Sequence, residues 1–398
     1  MLYLLHNSIL VLFLGFVRKN SMKYRNIIKD ETKVSVLGFG CMRFPLVEKT
    51  EVVDIKEVER MLYYAIDNGI NYIDTAWPYH NEKSEEILGF LLKNGYRKKV
   101  KLATKMPCWL IENRSDFDKY LDLQMRRLKT EYIDYYLLHA LFSKRWESMM
   151  NLDVLTWADE AKKKGQIGGF GFSFHDSLPV FKKIIDEYPD WDFCQIQYNM
   201  VGEDIQAGTC GLKYANKNGI PIIVMEPLLG GLLAAPPSNI KEIYDEYEIN
   251  PVELALKWLW NKKEINLVLS GMSSMDQVKQ NIDIAARSSV GCLTDKENIA
   301  VKKVQQAYLE LEIIPCTKCR YCMPCPNKVD IPRILELYNE TKKYGGLFQN
   351  KVLYTYHVPD IYKASSCTEC GECLEKCPQK IDIPRWLSET HKLLLLDS

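Results

Sequence analysis

The sequence predicts an α/β chain in two parts: a parallel (β/α)8 barrel of the TIM type, then a small, mostly helical, cysteine-rich module. Three observations carry that expectation. Eight short apolar runs alternate with longer helical patterns between Lys33 and Ala300. Those runs mostly lack polar alternation, as parallel strands buried on both faces do. Finally, eight of the thirteen cysteines fall in two tight runs near the end of the chain.

The expected strands are VSVLGFG (34–40), INYIDTA (70–76), KVKLATK (99–105), YIDYYLLH (132–139), GGFGFS (168–173), DFCQIQY (192–198), IPIIVME (220–226) and INLVLSG (265–271). Amphipathic stretches lie between them, among them EVERMLYYAIDNG, FDKYLDLQMRRLK and PVFKKIIDEY. Asn250-Pro251-Val252-Glu253 supplies a cap and a proline for the first helical position, and Ser274 to Gln277 resembles a capping box. Gly69, Gly95, Gly165 and Gly219 are placed to close helices before the next strand. An open doubly wound sheet is the competing arrangement. No GxGxxG follows the first strand, so the closed barrel leads.

A barrel of roughly 250 residues leaves room in 398 for a second module. The expected divisions are an apolar extension over 1–21, the barrel over 22–295 and the cysteine-rich module over 296–398. Leu2 to Val17 is interrupted by His6, Asn7 and Ser8 and is shorter than the ~20 residues that span a bilayer. It has no preceding basic segment and no small-residue cleavage site. The preferred expectation is an upstream start codon called in error, with a polar start at Met22; a weak membrane-associating segment is the alternative. Lys+Arg and Asp+Glu balance at 52 each, which leaves no electrostatic footprint for a nucleic acid.

Clustered thiols in a chain of this size point to metal ligands and a reducing, cytoplasmic compartment rather than to disulfides. Cys41, Cys108, Cys194, Cys210 and Cys292 are scattered and read as small buried apolar residues. The remaining eight form Cys316-x2-Cys319-x2-Cys322-x2-Cys325-Pro326 and Cys367-x2-Cys370-x2-Cys373-x3-Cys377-Pro378. The segments Cys325 to Arg333 and Cys377 to Arg385 repeat one another, each with an Asp placed to cap a following helix. Three cysteines at two-residue intervals wrap the corners of a cubane, and in two-cluster ferredoxins the fourth ligates the other cluster. The expectation is a ferredoxin-like dicluster domain with two [4Fe–4S] clusters. Cys316, Cys319, Cys322 and Cys377 hold one; Cys367, Cys370, Cys373 and Cys325 hold the other. Structural zinc is the bland alternative, but its sites usually pair two CxxC knuckles. The first run is one residue shorter before its last cysteine, without loss of a ligand.

In a parallel barrel the chemistry sits at the C-terminal ends of the strands. There the sequence places Asp74, Tyr79, Lys105 and His139. Each alone is unremarkable: a surface Asp, a packed Tyr, a solvated Lys, a satisfied His. Together they form a proton-donating set. A phenol titrates near ~10, a neighbouring ammonium favours its ionised form, and a carboxylate can hold that ammonium in place. A neutral imidazole can orient a carbonyl oxygen, as hydride reduction of an aldehyde or ketone requires.

From about Tyr24 to Arg287 the chain resembles the aldo-keto reductase superfamily, on LGFG (37–40), YIDTAWPYHNEKSE (72–85), LATK (102–105), YYLLH (135–139), GFS (171–173), QIQYN (195–199) and SGMSSMDQVKQN (270–281). With the cysteine runs, it resembles the branch fused to a dicluster domain. The resemblance implies an oxidoreductase acting on a small carbonyl or its alcohol, with Tyr79 as general acid/base beside Asp74, Lys105 and His139. It also implies NAD(H) or NADP(H). Ser173 and Gln195 match residues that hold the nicotinamide carboxamide, and Leu228, Met272, Gln280 and Asn281 complete the implied nucleotide set. Departures exist. Phe174 replaces the usual Asn, Met225 the stacking aromatic and Glu226 the following Ser. Gly271 and Gln277 stand where basic residues clasp a 2′-phosphate, which weakens an NADPH preference. Trp77, His80, Trp109 and His175 suggest a partly aromatic pocket, with packing the equal alternative for each.

Nicotinamide moves two electrons together, whereas each cluster passes one. A flavin in the barrel, a redox partner protein, or structural clusters would each resolve that mismatch. A second function class therefore stays open: a ferredoxin-like electron-transfer or docking protein whose barrel binds a flavin or is catalytically altered.

Overall fold

The computed structural model describes residues 21–27, 32–48, 50–311, 313–344 and 347–396. The apolar extension expected over 1–21 lies, except for its last residue, outside them. Ten strands follow in order: β1 (Tyr24–Asn26), β2 (Lys33–Ser35), β3 (Leu37–Gly40), β4 (Tyr72–Asp74), β5 (Lys101–Met106), β6 (Ile133–Leu141), β7 (Ile167–Phe174), β8 (Phe193–Gln197), β9 (Ile222–Met225) and β10 (Ile265–Ser270). Strands β3 to β10 close a parallel barrel in sequence order, with β10 paired to both β9 and β3. All eight expected strands are present, trimmed by a residue or more at most ends.

The sequence reading missed β1 and ran Val34 and Ser35 of β2 into the first barrel strand; β1 and β2 form an antiparallel pair of three residues each. Elements so short carry no usable periodicity. The pair stoppers the barrel: Ile27 and Val34 are fully buried in the interior cluster with Tyr72, Tyr135, Phe193 and Leu267. Arg25 fastens it by donating to the carbonyl oxygens of Trp260 (2.8 Å), Lys262 (3.1 Å) and Ile265. At the end of the first barrel helix, Gly69 has φ +100, and a Cβ there would lie 2.8 Å from that of Met22. Only glycine accommodates both constraints.

The main core lies between strands and helices, where Phe39, Leu62, Trp146, Trp191 and Trp260 are buried. Each such side chain contributes roughly 1.5–3 kcal/mol on leaving water. Asn250 caps its helix by accepting from the Glu253 amide at 3.0 Å. Ser274 accepts from the Gln277 amide, but the Gln277 side chain accepts from Ser273 rather than closing a box. The complete capping box is Thr294–Glu297, at the head of helix Asp295–Glu310. That helix packs Ala300, Val301, Val304 and Tyr308 into the barrel's core. Most of what the sequence divided off as the start of the second module is therefore attached to the first.

The cysteine-rich module has its own core, including Ile314, Ile331, Leu335, Tyr354, Ile383 and Leu387. Its two longer helices, Ile331–Tyr344 and Ile383–Leu394, each follow one Cys-Pro repeat. Asp382 caps the second by accepting from the Arg385 amide. The module docks over the C-terminal mouth of the barrel. Arg43 Nη2 donates to Thr317 O at 2.8 Å, and Gln206 Nε2 to Pro378 O at 2.8 Å. Among the scattered cysteines, Cys41, Cys108 and Cys194 are buried as expected, whereas Cys210 is exposed and Cys292 half-buried. Among the described residues, no helix is long and apolar enough to cross a membrane.

Candidate active site

Three adjacent strands present three charged or ionisable residues at their C-terminal ends. Asp74 ends β4, Lys105 lies near the end of β5 and His139 near the end of β6; Tyr79 follows β4 in its loop. Lys105 is 1% exposed, so its ammonium must be satisfied internally. It donates to Asp74 Oδ1 (2.6 Å), Thr75 O (2.8 Å) and Tyr79 Oη (3.3 Å). All three of its protons are thereby used. The carboxylate balances the charge, and the third bond aims it at the phenol.

The balance of effects on Tyr79 differs from the sequence expectation. Its pKa is raised well above the usual phenol value by burial first, then by the nearby Asp74 carboxylate. The Lys105 ammonium is already committed to Asp74, so it does not overcome desolvation. Tyr79 is therefore held protonated. His139 is held neutral, its pKa driven well below the usual value by burial and then by Lys105, His175 and Arg145. The pair is an O–H donor beside an uncharged imidazole.

The tetrad opens into a cavity of about 380 Å³. Ser173, Gln195, Met225, Glu226, Leu228, Gly271, Gln277, Gln280 and Asn281 line it, so nine of the ten expected nucleotide residues share one cavity with the tetrad. Met272 is absent from that lining and is packed in the core. Gln195 Oε1 is buried without a hydrogen-bond partner, an acceptor that a carboxamide N–H₂ would satisfy. Glu226 does not confront the cavity as a bare charge. Its Oε2 accepts from the Gly230 amide at 2.8 Å, and its Oε1 lies 3.8 Å from Arg43 Nη2.

Two of the expected pocket aromatics are packing residues. Trp77 lies under the Arg127 guanidinium, 3.6 Å from its ring centre, and His80 stacks on Phe44. His175 does line the cavity. The Trp109 ring comes within 5.2 Å of that of His139 without joining the lining.

The sequence reading missed the cavity's roof, which comes from the cysteine-rich module: Thr317, Cys319, Tyr321, Pro378 and Gln379. Tyr321 Oη lies 3.2 Å from His139 Nε2. No local signal marks Tyr321, because its partner is 182 positions away in sequence.

Within the module, Cys316, Cys319, Cys322 and Cys377 lie within electrostatic reach of one another. Cys325, Cys367, Cys370 and Cys373 form the second such set, and they line one concavity with Cys322, Ile331 and Leu387. The fourth cysteine of each run thus stands with the other run. Among the described residues no three metal-ligating side chains are set closely enough to hold a single ion. A four-iron cage spreads its cysteine ligands more widely, so the two sets suit that group.

Comparison with known proteins matches this geometry. Residues 36–304 match the aldo/keto reductase family, and residues 315–381 match the 4Fe-4S dicluster domain. An uncharacterised oxidoreductase of Bacillus subtilis is 25% identical over 300 residues, covering 66% of this chain and 91% of that protein. The NADH-specific methylglyoxal reductase of Escherichia coli is 25% identical over 266 residues, covering 54% of this chain and 78% of that protein. The holo form of an aldo-keto reductase from Bacillus halodurans superposes with a TM-score of 0.58 at 25% identity, covering 71% of this chain and 96% of that one. The chain belongs to the aldo/keto reductase family and carries a 4Fe-4S dicluster domain after its barrel.

Proposed function

We propose that this oxidoreductase reduces a small carbonyl compound, or oxidises the corresponding alcohol, with Tyr79 as the general acid/base. The observation that carries the reading is the buried Asp74–Lys105–Tyr79 chain beside neutral His139. Tyr79 donates its proton to the oxygen as the carbonyl carbon gains a hydride, and His139 Nε2 orients that oxygen. Lys105 steadies the phenolate left behind, which is the charge that burial otherwise opposes. Asp74 positions Lys105 throughout.

A nicotinamide bound along the cavity would supply the hydride. Ser173 and Gln195 would hold its carboxamide, with Met225 against the ring and Gln277, Gln280 and Asn281 toward the far end of the nucleotide. Gly271 and Gln277 offer no charge to a 2′-phosphate. That favours NADH, as does the likeness to an NADH-specific reductase. The cysteine sets would hold two [4Fe–4S] clusters, which carry electrons singly. Cys319 lies in the cavity wall, where a cluster would stand close to the reacting centre, which supports a redox role over a purely structural one.

Isotope transfer separates direct hydride chemistry from electrons delivered by the clusters. Anaerobically purified protein, given NADH deuterated at the reactive carbon and a small aldehyde, should place deuterium on the product's carbinol carbon. A product that draws this hydrogen from solvent would overturn the direct-hydride reading.

A further inference from the structure

The cysteine-rich module contributes one polar group that neither the tetrad nor the cluster motif explains. Tyr321 stands between two cysteines of the first run, Cys319 and Cys322. Its hydroxyl reaches His139 Nε2 at 3.2 Å, and its phenol lies within electrostatic reach of that of Tyr79. The Tyr321 and His139 rings meet edge-on, their centroids 6.0 Å apart. A tyrosine that only glued two modules together would need its ring buried. This one instead aims its oxygen at the two side chains that handle the carbonyl oxygen in the reaction proposed above.

The geometry is restrictive. An oxygen about to be protonated must lie within about 2.6–3.2 Å of its acid and of the imidazole that orients it. In the Nε2–H tautomer that a carbonyl requires, His139 donates to Tyr321 Oη. The phenol oxygen therefore takes the imidazole bond that the carbonyl needs, beside the same acid. Two oxygens cannot share that position, so a carbonyl must displace the phenol. The loop around it is tied to the barrel on its N-terminal side. Arg43 donates to Thr317 O at 2.8 Å, the Met323 amide donates to Arg320 O at 2.9 Å, and Arg320 lies 3.6 Å from Glu51.

We propose that Tyr321 is a specificity-determining residue, an internal occupant of the carbonyl-oxygen position that compact aldehydes and ketones displace and bulky ones do not. The inference rests on the carbonyl-reduction reading, and it makes the barrel's selectivity a property of the iron–sulfur module.

The test uses the full chain with its clusters loaded, as wild type, Tyr321→Phe and Tyr321→Ala, with acetone as the compact probe and acetophenone as the bulky one. Calorimetry reads the dissociation constant of acetone without turnover; steady-state rates with NADH read kcat and KM. Losing one hydrogen-bonded competitor should tighten acetone binding by about five-fold in Tyr321→Phe, with kcat/KM rising through KM. Tyr321→Ala should raise kcat/KM for acetophenone by an order of magnitude or more. A collapse of kcat at constant KM in Tyr321→Phe would make the residue a proton donor and overturn the proposal. Unchanged affinity and unchanged selectivity would reduce it to packing, and overturn it equally. Iron content checks each variant's integrity, and Tyr321→Phe, lacking one oxygen atom, stays decisive if Tyr321→Ala loses iron. The acetone arm needs no turnover, so it can fail independently of the proposed reaction.

Discussion

Tyr79 and Lys105 show how burial can reverse an expectation that is sound in water. Charge proximity alone predicts a lowered phenol, but Lys105 is spent on Asp74 Oδ1 and Thr75 O, and desolvation governs Tyr79. His175 shows the same effect on a base. Its pKa falls to about 3, through burial first and then through Lys380 and Arg145. Above the ordinary histidine value both folded and unfolded forms are neutral, and the ring contributes nothing. As pH falls below it, the unfolded chain takes up a proton that the folded one refuses, so stability is lost toward acid. The expected contribution is about 1.4 kcal/mol per pH unit below ~6.5. Urea unfolding of His175→Gln and wild type between neutral and mildly acidic pH checks it: the difference should narrow or reverse as pH falls. A difference that is constant with pH would contradict the assignment. At this scale the tetrad was legible because the strand ends are legible. Trp77 and His80 looked like pocket residues because polar and aromatic chemistry is the same in packing and in binding. Only the positions of Arg127 and Phe44 distinguish the two.

Among elements, the strands of the barrel were readable because each is a short apolar run bounded by turn residues. The β1–β2 pair was not, since three residues cannot show a period and the pair's meaning lies in the barrel end it closes. The far end of the barrel is a related case. The amphipathic helix Asp295–Glu310 announces that it packs, but not on which module. The crossover of the fourth cysteines is a statement about elements, since Cys377 begins the turn into one helix while the first run's thiols lie before the other. It can be tested by pairing substitutions. Cys316→Ser with Cys377→Ser removes two ligands of one cluster and should leave about four of roughly eight irons. Cys367→Ser with Cys377→Ser strikes both clusters and should leave fewer. The reverse order would show that each run holds its own cluster.

The whole molecule is an aldo/keto reductase-family barrel with an iron–sulfur module seated over its mouth, and the contact between them is at the cavity into which the tetrad opens. Arg43 joins Glu226 of the barrel to Thr317 of the first cysteine loop, and Cys319 and Tyr321 complete the cavity that the strands begin. Sequence patterns foretold both modules, since each is a local repeat of elements or of thiols. They could not foretell the docking, because Tyr321 and His139 meet only after both modules have folded. The electron-count difference between hydride and cluster thus becomes a question about one wall of one cavity. The central question is whether that cavity performs acid-assisted carbonyl reduction. Replacing Tyr79 with Phe in anaerobically purified, cluster-loaded protein tests this most directly. Carbonyl reduction should fall by ~10²-fold or more with iron content unchanged; reduction that continues at the wild-type rate would contradict it.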